Sequence, residues 1–169
     1  VQSGMGRCGH YFAVDACGIE PDLLTSAKSL GGGVPCAAVL CRADIAVRFG
    51  PGDLGTTFGG GPLAAAAIGA VIDTIRDENL LANVQEQEAR IRERCMTGPV
   101  VRIQGKGLLL GLVCNRPALE VRNALLEQNI LTGTSADPHV VRILAPLVIN
   151  DEHVDHLAQA LAAIPGGGV

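Results

Sequence analysis

Pro21-Asp22-Leu23-Leu24-Thr25-Ser26-Ala27-Lys28-Ser29-Leu30-Gly31-Gly32-Gly33 holds the two signals on which the reading of this chain turns. Residues 23–27 form a short apolar run that predicts a buried strand, and the triple glycine predicts a tight turn. Lys28 stands between them. Only it and Lys106 are lysines, so a strand end among small residues is an odd place for a solubilising charge. Burial favours the neutral amine, a nucleophile suited to bonding a carbonyl carbon. The plainer alternative is a surface lysine snorkelling from a loop.

Outward from this stretch, residues 36–42 read as a second short buried strand, and residues 11–17 as a short helix. Arg42-Ala43-Asp44 leads into a helix ending near Phe49, where Gly50-Pro51-Gly52 stops it. Such strand–loop–helix alternation predicts an α/β layer protein. Pro62 opens a helix to Asp77 that is apolar almost all round, the pattern of a buried helix. Residues 79–97 predict an amphipathic helix with Leu80, Val84, Ile91 and Cys95 on one face.

After Gly98-Pro99 the texture changes. Strands are expected at 100–103 and 108–114 around Gly105-Lys106-Gly107, a helix at 117–129, and strands at 130–132 and 140–144. Asn150 caps a last helix, with Asp151 and Glu152 at its positive end and Val154, Leu157, Leu161 and Ile164 as its apolar stripe. Residues 165–168 read as a frayed tail. This second part is a small α+β unit.

Composition excludes several classes. With 48% apolar and 18% charged residues, the chain can bury ample surface and is not intrinsically disordered. Three Phe, one Tyr and no Trp argue against a base-stacking surface, and a net charge of -4 argues against polyanion binding. No apolar run approaches the roughly 18 residues of a membrane helix. Six cysteines occur without a CxxC pair, which predicts reduced thiols and a cytoplasmic protein. The chain opens on Val1 rather than Met, and Val1-Gln2-Ser3-Gly4 reads like the middle of a protein, so a fragment is expected.

Several motifs have two readings. Gly4-Met5-Gly6-Arg7-Cys8-Gly9 fits GxGxxG, a dinucleotide fingerprint only if a strand precedes and a helix follows, and otherwise a tight turn. Gly105-Lys106-Gly107 lacks the spacing of a phosphate-binding P-loop. His153 and His156, beside Asp151, Glu152 and Asp155, are a metal site or a solvated helix face. Gly55-Thr56-Thr57-Phe58-Gly59-Gly60-Gly61 runs into the helix at Pro62, so its hydroxyls bind an anion or cap the helix. Arg142 lies in the apolar run Val140-Val141-Arg142-Ile143-Leu144 and needs an anion, either an internal carboxylate or a substrate's.

Taken in order, residues 1–9, 21–33 and 57–64 closely resemble the class III aminotransferases that use pyridoxal phosphate. Arg102-Ile103-Gln104-Gly105-Lys106-Gly107-Leu108-Leu109-Leu110-Gly111 and Val141-Arg142-Ile143-Leu144-Ala145-Pro146-Leu147 fit the same family in the same order. Within it, Ile130-Leu131-Thr132-Gly133-Thr134-Ser135 is most similar to the acetylornithine-specific members. The resemblance implies the C-terminal part of a type I pyridoxal-phosphate-dependent transferase large domain at 1–85. A small α+β domain at 86–169 would follow.

The resemblance also implies roles. Lys28 matches the lysine that holds the cofactor covalently and then moves the proton at the substrate Cα. Gln2 matches a glutamine near the cofactor's phenolic oxygen. Thr57 matches a threonine that reaches the cofactor phosphate of the other subunit, so a homodimer is implied. Arg142 matches the arginine that holds the substrate α-carboxylate. No metal is implied. The expected reaction moves an amino group from N-acetylornithine to 2-oxoglutarate in arginine biosynthesis. Ornithine, succinylornithine, succinyldiaminopimelate and 4-aminobutyrate are the neighbouring donors. Cys8, Gly61 and Ala145 stand where the family usually has Thr, Asn and Pro. The family's Asp-Glu just before Val1, its upstream phosphate loop and its ring-stacking aromatic are not in this sequence. The chain alone is therefore expected to be inactive. The alternative is a non-catalytic remnant that keeps dimer and C-terminal surfaces.

Overall fold

The structure is a computed structural model and describes residues 1–166. Part of the tail expected at 165–168 lies outside the described residues. The chain divides into two compact units, the first ending at Leu80 and the second beginning at Leu81.

The first unit opens with a run of turns and a short 3-10 helix, Ala13–Cys17. Strand β1, Leu23–Ala27, pairs antiparallel with β2, Ala37–Cys41, so that Ala27 faces Ala37 and Leu23 faces Cys41. Helix α1, Ala43–Ala46, is a single turn and not the longer helix expected to Phe49. Its start is held by Arg42, which reaches Asp22 at 2.6 Å and Asp44 at 2.7 Å. Residues 46–60 then stay exposed. Helix α2, Pro62–Asp77, has the predicted bounds.

The predicted burial of these elements does not hold. Along α2 only Ile75 is buried, while Leu63 and Ile72 are exposed. On the ribbon Leu23, Val39 and Leu40 are exposed as well. The reason is geometric. A two-stranded ribbon has two faces and α2 has an apolar circumference, and this unit supplies too few layers to cover both. Its small core is Met5, Cys8, Leu30, Ile75 and Leu80, with Ser26 buried beside it.

The second unit is built around a four-stranded antiparallel sheet in the order β3-β4-β6-β5. Helix α3, Leu80–Arg94, leads into β3, Val100–Lys106, and β4, Leu109–Cys114. Helix α4, Ala118–Glu127, is followed by the two-residue β5, Gly133–Thr134, then β6, Val140–Ile143, and α5, Asp151–Ala162. Residues 130–132 are not the strand that was expected. Asn129 turns left-handed with φ 61, and the Ile130 N–H donates to the Leu125 carbonyl in a Schellman closure. That amide is therefore withheld from the sheet.

The core gathers Val84, Ile91 and Cys95 of α3, Leu110 and Leu112 of β4, Val121 and Leu125 of α4, Val141 of β6, and Leu157 and Leu161 of α5. The face of α3 matches the sequence reading. Asn150 caps α5 by accepting from the His153 N–H. Asn83 donates to the carbonyls of Leu147 and Ile149, which ties the segment after β6 to α3.

A buried carboxylate organises one end of the sheet. Glu88 on α3 accepts from the Gly107 N–H at 2.7 Å, from Arg92 at 2.9 Å and from Lys106 at 3.2 Å. Arg92 also donates to the carbonyls of Ile103 and Gly105. Burial alone would push the Glu88 carboxyl up, but these donors together hold it below its ordinary value. Of the thiols, Cys95 is pushed up to about 11 by burial. Among the described residues no disulfide joins any of the six cysteines.

Two outcomes follow. Leu125→Ala should cost about 2–5 kcal/mol in urea unfolding, because it empties a site with no exposure. The depressed Glu88 carboxyl contributes stability that is full above the unfolded value near about 4.3 and is lost as pH falls through its lower folded value. Glu88→Gln should cost about 1–3 kcal/mol at neutral pH, and the gap to wild type should narrow below about pH 4.

Candidate active site

Lys28 follows directly on β1 and is the first residue of a one-turn 3-10 helix, Lys28–Gly31. Its φ is 56, the left-handed region that a residue with a side chain enters at a cost of roughly 1–2 kcal/mol. The turn is pinned on both sides. A Cβ on Gly31 would lie 2.5 Å from Cys36 Sγ at the start of the second strand, and one on Gly32 would lie 3.0 Å from Val71 Cγ2 of α2. Leu30 and Gly31 are buried, so the turn cannot relax outward. The glycines therefore serve close approach, and the strain is left at the lysine.

The lysine itself is exposed, which corrects the expectation of burial. Its position at the rim of a ribbon with uncovered faces is the cause. Among the described residues no carboxylate pairs with it, in contrast to Lys106, which is held by Glu88.

Gln2 is exposed on the opening segment. Its neighbours Val1, Ser3 and Gly4 line a cleft of about 190 Å³ together with Leu23, Leu24 and Ser26. The structure thus lays the Gln2 segment along the strand that delivers Lys28. Residues 4–9 are turns, with φ 51 at Met5 and 85 at Gly6, and the Met5 N–H donates to the Tyr11 carbonyl. Turns and bends follow directly where a dinucleotide fingerprint needs a helix, so residues 4–9 are the tight turn.

Thr57 stands on the exposed loop before α2. The N-cap of α2 is Gly61, which gives no side-chain cap, so Thr56 and Thr57 are not capping residues. Among the described residues no hydrogen bond joins Thr57 to Lys28 or Gln2.

Arg142 belongs to the second unit. It is exposed on β6, opposite Gly111 of β4 and Gly133 of β5. Among the described residues no carboxylate lies within ion-pair distance of it. Arg42, Arg76, Arg90, Arg92, Arg94 and Arg116 all have such a partner. The alternative of an internal partner is therefore set aside, and the guanidinium is open to an anion from outside.

His153 is used in capping, with its Nδ1 against Asn150. Among the described residues no group of three His, Cys, Asp or Glu could hold a metal ion. Among the described residues no helix is long and apolar enough to cross a membrane. Sequence reasoning passed over Glu88, although its spacing to Arg92 is the i,i+4 signal of a helix ion pair.

The aminotransferase class-III family profile matches residues 1–164, and the chain belongs to that family. It is 41% identical over 169 residues to acetylornithine aminotransferase 1 of Bordetella bronchiseptica, covering 97% of this chain and 43% of that protein. It is 44% identical over 175 residues to the acetylornithine aminotransferase of Gloeobacter violaceus, covering 98% and 42%. Among solved structures, the acetylornithine aminotransferase of Elizabethkingia anophelis aligns with a TM-score of 0.85 at 30% identity, over 95% of this chain and 46% of that one. The ornithine aminotransferase of Toxoplasma gondii, which carries PLP at partial occupancy in its active site, aligns with a TM-score of 0.86 at 30% identity, over 97% and 42%. The chain thus spans less than half the length of the relatives it matches.

The strain at Lys28 can be measured. Lys28→Gly frees the backbone at φ 56 and should raise stability by about 1 kcal/mol in chemical denaturation, whereas Lys28→Ala should not.

Proposed function

We propose that this chain carries the lysine and the carboxylate-binding arginine of a transaminase. That enzyme would move an amino group from N-acetylornithine to 2-oxoglutarate in arginine biosynthesis. The observation that carries the reading is Lys28, held at φ 56 between β1 and a pinned glycine turn, with no carboxylate to neutralise its amine among the described residues. The names of the relatives support N-acetylornithine over the neighbouring donors. The family's cofactor is pyridoxal phosphate, and the residues present suit it. The Lys28 amine is uncommitted, and the hydroxyls of Thr56 and Thr57 are not engaged in capping α2.

When bound, the cofactor supplies the electron sink for the bond-breaking at the substrate Cα. The chain's own residues do the rest. Lys28 Nζ would hold the cofactor and, when its amine is free, would take and return the proton at the substrate Cα. Gln2 donates toward the phenolic oxygen. Arg142 fixes the α-carboxylate through its fork of N–H donors, which orients the Cα–H bond. Thr57, on its exposed loop, serves the phosphate bound by a second copy, so the working unit is a homodimer. The rest of the length that the relatives have completes the site, and the chain alone does not turn over.

Borohydride reduction in the presence of pyridoxal phosphate tests this. Peptide mapping should find a pyridoxyl group on Lys28, and Lys28→Ala should leave none elsewhere at comparable yield. Labelling spread over Lys106 and the N-terminus as heavily as Lys28 would overturn the assignment.

A further inference from the structure

Arg142 sits in a cross-strand row that the register defines: Gln104 of β3 faces Gly111 of β4, Gly111 faces Arg142 of β6, and Arg142 faces Gly133 of β5. Residues directly opposite one another in antiparallel strands project from the same face, their Cβ atoms about 4.5–5.5 Å apart. The arginine is therefore flanked on both sides by positions without side chains. The two glycines differ in what fills the space. A Cβ on Gly111 would meet Val140 Cγ1 at 2.8 Å and Gln104 Cγ at 3.2 Å. The three atoms nearest a Cβ on Gly133 all belong to Arg142, with Nη2 at 3.1 Å, Nε at 3.2 Å and Cζ at 3.5 Å.

Cζ lies between the two nitrogens yet is the farthest of the three, so the guanidinium turns its Nε–Nη2 edge toward Gly133. Gly133 is not among the residues of positive φ, so its backbone conformation does not call for glycine. What a side chain there would crowd is the arginine. Beyond it the edge strand is only Gly133–Thr134, and the guanidinium has no carboxylate partner to hold it among the described residues. An arginine side chain that lacks a partner and a rest loses much of its preorganisation.

From this the structure assigns Gly133 as a positioning residue for Arg142. Its bare Cα keeps clear the space before the Nε–Nη2 edge, the edge through which the fork would take a substrate carboxylate. The space over Gly111 is taken by Val140 and Gln104. The role rests on the carboxylate-binding reading of Arg142, and it places a limit on the edge strand: a Cβ at position 133 crowds the Nε–Nη2 edge of the fork.

The test uses the chain with isotope-labelled arginine and 2-oxoglutarate as the probe. The guanidinium Nε–H resonance of Arg142, identified by its loss in Arg142→Lys, reports the resting place of the head. Gly133→Ala should move that resonance before any probe is added and weaken 2-oxoglutarate by about tenfold or more. Its melting temperature should stay within about 2 °C of wild type, since the backbone there is ordinary strand. In an Arg142→Lys background the alanine should have no further effect on binding or melting, because no planar head remains to displace. An unmoved resonance and unchanged binding in Gly133→Ala, with binding lost in Arg142→Lys, would overturn the positioning role and leave the carboxylate reading standing. Unchanged binding in Arg142→Lys would overturn the carboxylate reading itself. A Gly133→Ala chain that unfolds equally in both backgrounds would show that the glycine serves the fold and not the arginine.

Discussion

Glu88 is the constraint from which the geometry of the second unit follows. A carboxylate 6% exposed must be met by donors, and it is met by the Gly107 amide, Arg92 and Lys106. That joins α3 to the turn between β3 and β4. Arg92 adds bonds to the carbonyls of Ile103 and Gly105, so the turn is gripped on both sides. The hairpin register is thereby set, β4 sets the register of β6, and β6 puts Arg142 on the open face with glycines as its cross-strand partners. A one-residue slip anywhere in that chain would drive the arginine into the core. The charge network at one end of the sheet thus decides where Arg142 sits in the middle of it.

The two units spend their apolar residues differently. In the second, one face of the sheet is covered by helices, and Leu110, Leu112, Val141 and Leu161 are at most 2% exposed. In the first, a ribbon and one long helix leave Val39 at 67% and Leu63 at 74% exposure. Isolated exposed apolar residues are ordinary, but several on adjacent elements form a surface suited to being covered.

The site was legible in the sequence to different depths. Lys28 and Arg142 stood out because each broke a local rule: a lone lysine beside three glycines, and a charge inside an apolar strand. In the structure neither residue owes its setting to burial. Lys28 is set apart by backbone strain and an uncommitted amine, not by burial. Arg142 is set apart by a bare row on an open face, not by immersion in apolar surroundings. Glu88 was overlooked because a glutamate on an amphipathic helix is usually solvated, and only the hairpin packed over it makes it buried.

Local chemistry in the sequence determined the elements themselves: the apolar stripe of α3, the proline start and full extent of α2, the Asn150 cap of α5, and the order of motifs that marks the family. These depend on neighbours a few residues apart, which a linear reading can see. The tertiary structure alone decided three things. Residues 130–132 left the sheet because a Schellman closure claimed the Ile130 amide. The apolar helix α2 stayed largely exposed because burial depends on how many layers are present. Gly133 acquired its meaning from an arginine on a neighbouring strand, and cross-strand register is a contact between distant residues that no local pattern encodes.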